Sequence, residues 1–211
     1  MKITKYEHAC VALEEQGKKM IIDPGAFTAT FGEPHHILAV VITHVHPDHF
    51  DPGHLRRIQD NNPEVQFFTT AEVAAQFQKP GVAIVKADDT VALGPFTLRF
   101  YGQTHAVILP EVAPPQNIGV QVNDSFYYGG DSFITPETSV EVLAVPTSAP
   151  WLKISEVADY IRSARPKRCF PTHNALLSEQ GHATTSKWIS EVCEKEGIGF
   201  RFLSPGESLE I

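Results

Sequence analysis

The stretch Ile42-Thr43-His44-Val45-His46-Pro47-Asp48-His49-Phe50-Asp51-Pro52 constrains this chain more than any other, because it sets four potential metal ligands within six positions. The run before it, Ile37 to Ile42, is continuous, apolar and rich in β-branched residues, as a strand buried on both faces would be. After it, Asp51 is a good helix N-cap, and Pro52 fits a first helical position, where no N–H is needed. The ligands therefore fall in a loop between a strand end and a helix start. Side chains two apart in an extended segment point the same way, so His44 and His46 can grip one ion. Asp48 and His49 lie beyond the turn at Pro47 and can face a neighbouring ion. A histidine-rich surface loop is the plain alternative, but it has no reason to fall between those two boundary signals. The stretch is expected to form a strand-end metal site with room for two ions.

Three further candidates stand alone at the ends of predicted strands. His105 follows Phe96 to Tyr101 and a Gly102 break. Asp131 follows Gly129-Gly130, where two glycines let the backbone pack closely while the carboxylate projects. His173 follows Arg168-Cys169-Phe170 and Pro171-Thr172. Taken singly, His105 is an ordinary histidine and Asp131 an ordinary turn or cap residue. Together with the motif they resemble the metallo-β-lactamase superfamily, whose signature His44-x-His46-x-Asp48-His49 matches and whose later ligands come in this order. The resemblance spans the chain from Asp23 to His173 and the strands beyond.

The resemblance implies an α/β fold (α+β by some schemes), the four-layer αββα sandwich, with metals at the common edge of two sheets. It assigns His44, His46 and His105 to one ion, and Asp48, His49 and His173 to the other. Asp131 and a hydroxide would bridge them, with Asp48 orienting the hydroxide as well as ligating. The donors are nitrogen and oxygen only, which suits two Zn2+ best and also accepts Mn2+ or Fe2+. The formal charge of such a centre is about +1 once the ions are counted, which favours small anionic esters, lactones, phosphodiesters or amides. Members that hydrolyse β-lactam antibiotics lack the bridging aspartate, so Asp131 speaks against that activity. Flavodiiron relatives need a flavin domain and a carboxylate in place of His46, so redox chemistry is disfavoured. The compact length, Glu7-His8-Ala9-Cys10, and the Val145-Pro146 and Pro171-Thr172-His173 pair look most like the branch containing ascorbate-6-phosphate lactonase. A metal-binding regulatory or scaffold protein without catalysis is the non-enzyme alternative; loss of catalysis usually removes ligands, and none is missing.

The rest of the chain supports one domain over residues 1–211. With 42% hydrophobic and 20% charged residues it has an ordinary globular composition. A formal charge of −8 argues against nucleic-acid or anionic-membrane partners and for a small-molecule one. No signal-peptide core or membrane-length apolar run is visible, and Cys10, Cys169 and Cys193 suggest no disulfide framework, so a cytoplasmic protein is expected. Oligomeric state has no sequence signal. Strands at the start form a hairpin about Gln16-Gly17 and end at Asp23-Pro24-Gly25. Asp23 is either a turn residue or, as the resemblance implies, a support beneath the metal loop. His8 closes the first strand and is either a satisfied histidine or a substrate-side residue. Residues 24–36, with Phe27 and Phe31, and the proline-rich 106–116 segment are expected to wall a pocket, and His35-His36 to be a solvated pair. Trp151 follows the buried strand Val142 to Val145 and either lines the pocket or packs the next helix. Helices are predicted over residues 52–61, 71–77, 154–164 and 183–196.

Overall fold

In a computed structural model, which describes residues 1–29, 32 and 34–211, two mixed sheets pack face to face between helices. The first half supplies β1 (Lys2–Lys5), β2 (Val11–Glu15), β3 (Lys18–Ile22), β4 (Ile37–Ile42), α1 (Pro52–Asn61), β5 (Gln66–Thr69), α2 (Ala71–Gln76) and β6 (Val82–Ile84). The second supplies β7 (Thr90–Leu93), β8 (Phe96–Tyr101), β9 (Gly119–Val122), β10 (Phe126–Tyr128), β11 (Val142–Pro146), α3 (Ile154–Ala164), β12 (Arg168–Thr172), α4 (Glu179–Glu196), β13 (Gly199–Phe200) and β14 (Ser208–Glu210). Strand order is β14-β1-β2-β3-β4-β5-β6 in one sheet and β13-β12-β11-β10-β9-β8-β7 in the other. Each sheet is antiparallel at one side and parallel at the other, and helices carry the chain from β4 to β5, β5 to β6, β11 to β12 and β12 to β13.

Three apolar layers follow from strand alternation. Ile3, Leu13, Met20, Ile22 and Val41 meet Leu98, Phe100, Val120, Phe126 and Phe170 between the sheets. The opposite face of the first sheet, with Val40, Ile42 and Phe67, packs on Leu55 and Ile58 of α1 and Val73 of α2. The outer face of the second, with Tyr127, Leu143 and Val145, packs on Val157, Tyr160 and Ile161 of α3 and Ile189 of α4. This is the predicted αββα sandwich. At full burial a side chain such as Phe170 contributes about 1.5–3 kcal/mol.

The expected Asp51 cap forms, accepting from His54 N at 2.7 Å, with Pro52 in the first turn. The hairpin between β9 and β10 turns on Asn123 and Asp124, both with positive φ, and Ser125 N donates to Val122 O at 3.0 Å, while the register sets Val122 opposite Phe126. Some boundaries differ. Helix α4 begins at Glu179, not at residue 183, because Ser178 accepts from Gly181 N at 3.2 Å and so caps an earlier turn. Strand β12 continues past Phe170 to Thr172, since its carbonyl side still accepts from Thr147 N at 3.1 Å. β13 is two residues long, as the chain beyond Phe200 leaves the sheet. His35 and His36 are exposed, as expected, while Phe31 lies outside the described residues. No described helix is long and apolar enough to cross a membrane.

Candidate metal centre

The strand ends meet at one edge of the sandwich. His44 follows β4, His105 follows β8, Asp131 follows β10 and His173 follows β12. The sheets are stitched together there, with Ile118 N donating to Thr43 O at 3.0 Å. Ligand-type atoms gather in two groups, each within 4.8 Å: His44, His46, His105 and Asp131, and His8, Asp48, His49 and His173. Asp131 faces both. Its Oδ1 lies 3.1 Å from His49 Nε2, and its Oδ2 lies 3.2 Å from His105 Nε2 and 3.1 Å from His173 Nε2. All seven residues of the sequence-based ligand set are thus brought together, and His8 joins them.

The hydrogen bonds behind the rings decide which nitrogen each histidine offers. A neutral imidazole has one donor and one acceptor nitrogen. His49 Nδ1 faces the Asp23 carboxylate at 2.7 Å, His173 Nδ1 faces Ser148 O at 2.6 Å, and His105 Nδ1 faces Ala106 O. His44 Nδ1 lies 3.0 Å from Thr43 Oγ1, whose own proton goes to Asp23 Oδ2. In all four rings the Nδ1–H is therefore held from behind and the Nε2 lone pair points inward, the arrangement that orients metal-binding histidines. His46 turns its Nδ1 inward, 3.1 Å from His44 Nε2.

Asp23 is the hub beneath this loop. Fully buried, it accepts from Thr43 N at 2.8 Å, from Thr43 Oγ1 at 2.7 Å and from His49. These bonds tie the end of β3 to the loop after β4. Asp23, His8 and His173 all have φ near +50°, a conformation costing about 1–3 kcal/mol in non-glycine residues. Gly130, also at positive φ, lies against Thr43 and Asn117 Oδ1 so closely that a Cβ would collide with them. That contact presses the Asp131 turn onto the end of β4.

Trp151 packs against the centre itself. Its ring lies between Phe133 and the His105 and His173 rings, only 8% exposed, and its Nε1–H donates to Asp131 Oδ2 at 3.0 Å. Thr43 and Asn117 were not singled out from the sequence. Asn117 accepts from Asp131 N at 3.0 Å and donates to Gly129 O at 2.9 Å, fixing the turn that presents the carboxylate. Thr43, polar at the end of an apolar strand beside the first ligand, carried a readable signal; Asn117 carried none. Val107, Ile108, Leu109 and Val112 of the proline-rich segment are exposed beyond His105.

Charge at the centre is finely balanced. Burial works to raise the Asp48 and Asp131 carboxyls, but hydrogen bonds from His173 and His8 hold Asp48 well below its usual range. The charges of His49 and His173 do the same for Asp131. In return, against their burial, Asp131 and Asp23 lift His49 well above its ordinary value, and Asp131 lifts His173 to about 9. Burial and its histidine neighbours push His44 down. A cation fits this donor set. His49 Nε2, His173 Nε2 and Asp131 Oδ1 are buried without a hydrogen-bond partner although they lie near one another. Such groups are costly unless something satisfies them, and a divalent ion would do so while displacing the protons that His49 and His173 hold beside the ionised carboxylates.

The sequence matches the beta-lactamase superfamily domain over residues 2–173, and with this fold and site the chain belongs to the metallo-β-lactamase superfamily. It is 37% identical over 183 residues to protein Rv0786c of Mycobacterium tuberculosis, covering 84% of this chain and 86% of that protein. Two solved structures share the fold. Igni18, a metallo hydrolase from Ignicoccus hospitalis, aligns with TM-score 0.76 at 19% identity over 100% of this chain and 98% of its own. CmlA, a diiron beta-hydroxylase from Streptomyces venezuelae, aligns with TM-score 0.76 at 14% identity over 100% of this chain and 54% of its own.

Proposed function

We propose that the protein is a dinuclear metal-dependent hydrolase of small, anionic substrates. His44, His46 and His105 would hold one divalent ion, Asp48, His49 and His173 the other, and Asp131 would serve both. The observation that carries this is the set of three buried, unpartnered ligand atoms on His49, His173 and Asp131. The all-nitrogen-and-oxygen donors favour Zn2+, with Mn2+ or Fe2+ acceptable. Such ions, when bound, supply Lewis acidity and lower the pKa of bound water toward ~7. The chain's own residues then have defined tasks. Asp48 is held ionised and able to orient a water. Trp151 fixes one oxygen of Asp131, and Asn117 fixes its backbone. The exposed apolar side chains of the 106–116 segment would meet the non-reacting part of a substrate. Esters, lactones, phosphodiesters and amides bearing negative charge are the substrate classes proposed.

The experiment is metal analysis of the purified protein and of Asp131→Asn, followed by a hydrolysis panel over lactones, phosphodiesters, thioesters and β-lactams. Two transition metals per chain, and loss of at least one in the variant, are expected. One metal or none after supplementation would overturn the dinuclear reading, as would a variant that keeps both ions and full activity. The likeness to CmlA favours an oxidative second reading. It separates in the same assay, since an iron-loaded protein that consumes oxygen with substrate and hydrolyses nothing on the panel would establish it.

A further inference from the structure

His8 stands among the candidate ligands, yet its hydrogen bonds run opposite to theirs. Ala175 N–H donates to its Nδ1 at 3.2 Å, so that nitrogen is the acceptor. The ring's single proton must then sit on Nε2, which lies 3.0 Å from Asp48 Oδ2 and donates to it. A metal bond through Nε2 would require an imidazolate, stripped of both protons. A charged ring would set Nδ1–H against the Ala175 N–H. Both nitrogens are therefore committed, one to backbone and one to carboxylate.

From this we infer that His8 is a positioning residue, a fixed donor that sets the orientation of Asp48 and neither binds the metal nor carries protons. The inference rests on the reading of Asp48, His49 and His173 as a metal-binding set. Its surroundings hold the ring rigidly. His8 O accepts from His173 N at 2.9 Å, and the ring packs 4.0 Å from that of His173 and 5.0 Å from Phe27. It is 1% exposed, with φ of 52°. The segment 173–175 thus clamps His8 by backbone and ring together, and His8 passes that order on to Asp48, 40 residues away. A partner of this kind typically affects metal affinity by roughly 10–100-fold.

The test uses the zinc-loaded protein with 15N-labelled histidine. Two-bond 1H–15N correlations should place the His8 proton on Nε2, with Nδ1 bare, while His49 and His173 give the reverse pattern. A proton on His8 Nδ1, or on both nitrogens, would overturn the inference. Competition titration with a zinc chelator then compares two variants. His8→Leu, which keeps volume but no donor, should weaken the second zinc roughly 10–100-fold and leave the first unchanged. His8→Gln, which restores an N–H, should stay within about threefold of the parent. Equal weakening in both variants would mean His8 is a ligand, and no weakening in either would mean it only packs. Should the parent bind fewer than two zinc ions, the ligand reading fails, and that is seen before either variant is made.

Discussion

Among the described residues Lys5 is the one buried lysine or arginine, 1% exposed, its ammonium donating to Tyr6 O at 2.7 Å with no carboxylate in ion-pair range. Burial pushes it down to about 8, with Cys10 and Glu7 opposing, from an ordinary 10.5. Between those values the unfolded chain keeps a proton that the folded chain releases, so stability rises with pH across that window, by at most about 1.4 kcal/mol per unit. Burial raises the Cys10 thiol, and contact with Cys193 together with burial raises that of Cys169, which acts the other way above about pH 8.5. The Lys5 contribution is therefore the difference in slope between the parent and Lys5→Met in denaturant unfolding from pH 7.5 to 10.5; equal slopes would contradict the assignment. Trp151 acts at the same scale. Trp151→Phe keeps a ring but removes the N–H from Asp131, and a hydrogen bond to a charged group contributes about 1.5–3 kcal/mol. The expected outcome is a lower melting temperature together with weaker metal retention. A melting change with metal affinity intact would reduce Trp151 to packing.

Among the elements, the turns carry the site and the strands only aim them. The loop after β4 holds four site residues, and Gly25 of the preceding segment approaches it so closely that a Cβ would overlap Asp48 backbone atoms. Gly130→Ala is the sharper probe, since it combines a φ of +62° with the collision against Asn117 and Thr43. The left-handed backbone alone should cost about 1–2 kcal/mol, and shifting Asp131 should lower metal content. Unfolding curves and elemental analysis check the two effects separately, and a variant of unchanged stability and metal content would deny the close approach any role. The strand and helix pattern was legible because alternation, caps and breakers are local. The start of α4 was not, because Gly181 reads as a breaker although Ser178 caps the turn ahead of it. Cys169 and Cys193 give the same lesson: 24 residues apart in sequence, their sulfurs lie 3.4 Å apart between β12 and α4.

For the molecule as a whole, the metal centre clasps the two sheets at their shared edge, so bound ions should stabilise the entire sandwich. A metal held at 100 times its Kd adds about 2.7 kcal/mol, which in a chain of this size corresponds to roughly 5–10 °C of melting temperature. Calorimetry before and after chelation should show that drop and its reversal on adding zinc; an unchanged melt would mean the centre does not bind a metal tightly. By itself the sequence determined the alternation that builds three apolar layers and the spacing that sets His44, His46, Asp48 and His49 at a strand end. Both are one-dimensional properties of side-chain direction along a strand and of capping at a helix start. Only the tertiary structure decided the hydrogen bonds behind the ligands: Asp23 beneath His49, 26 residues away, Trp151 on Asp131, and Ala175 on His8 across 167 residues. Those bonds orient the rings and the carboxylate, and no local pattern encodes them, because their partners leave different strand ends. Asp23 and His49 meet when β3 pairs with β4, Asp131 and Trp151 when β10 pairs with β11, and Ala175 and His8 only when the two sheets close on each other.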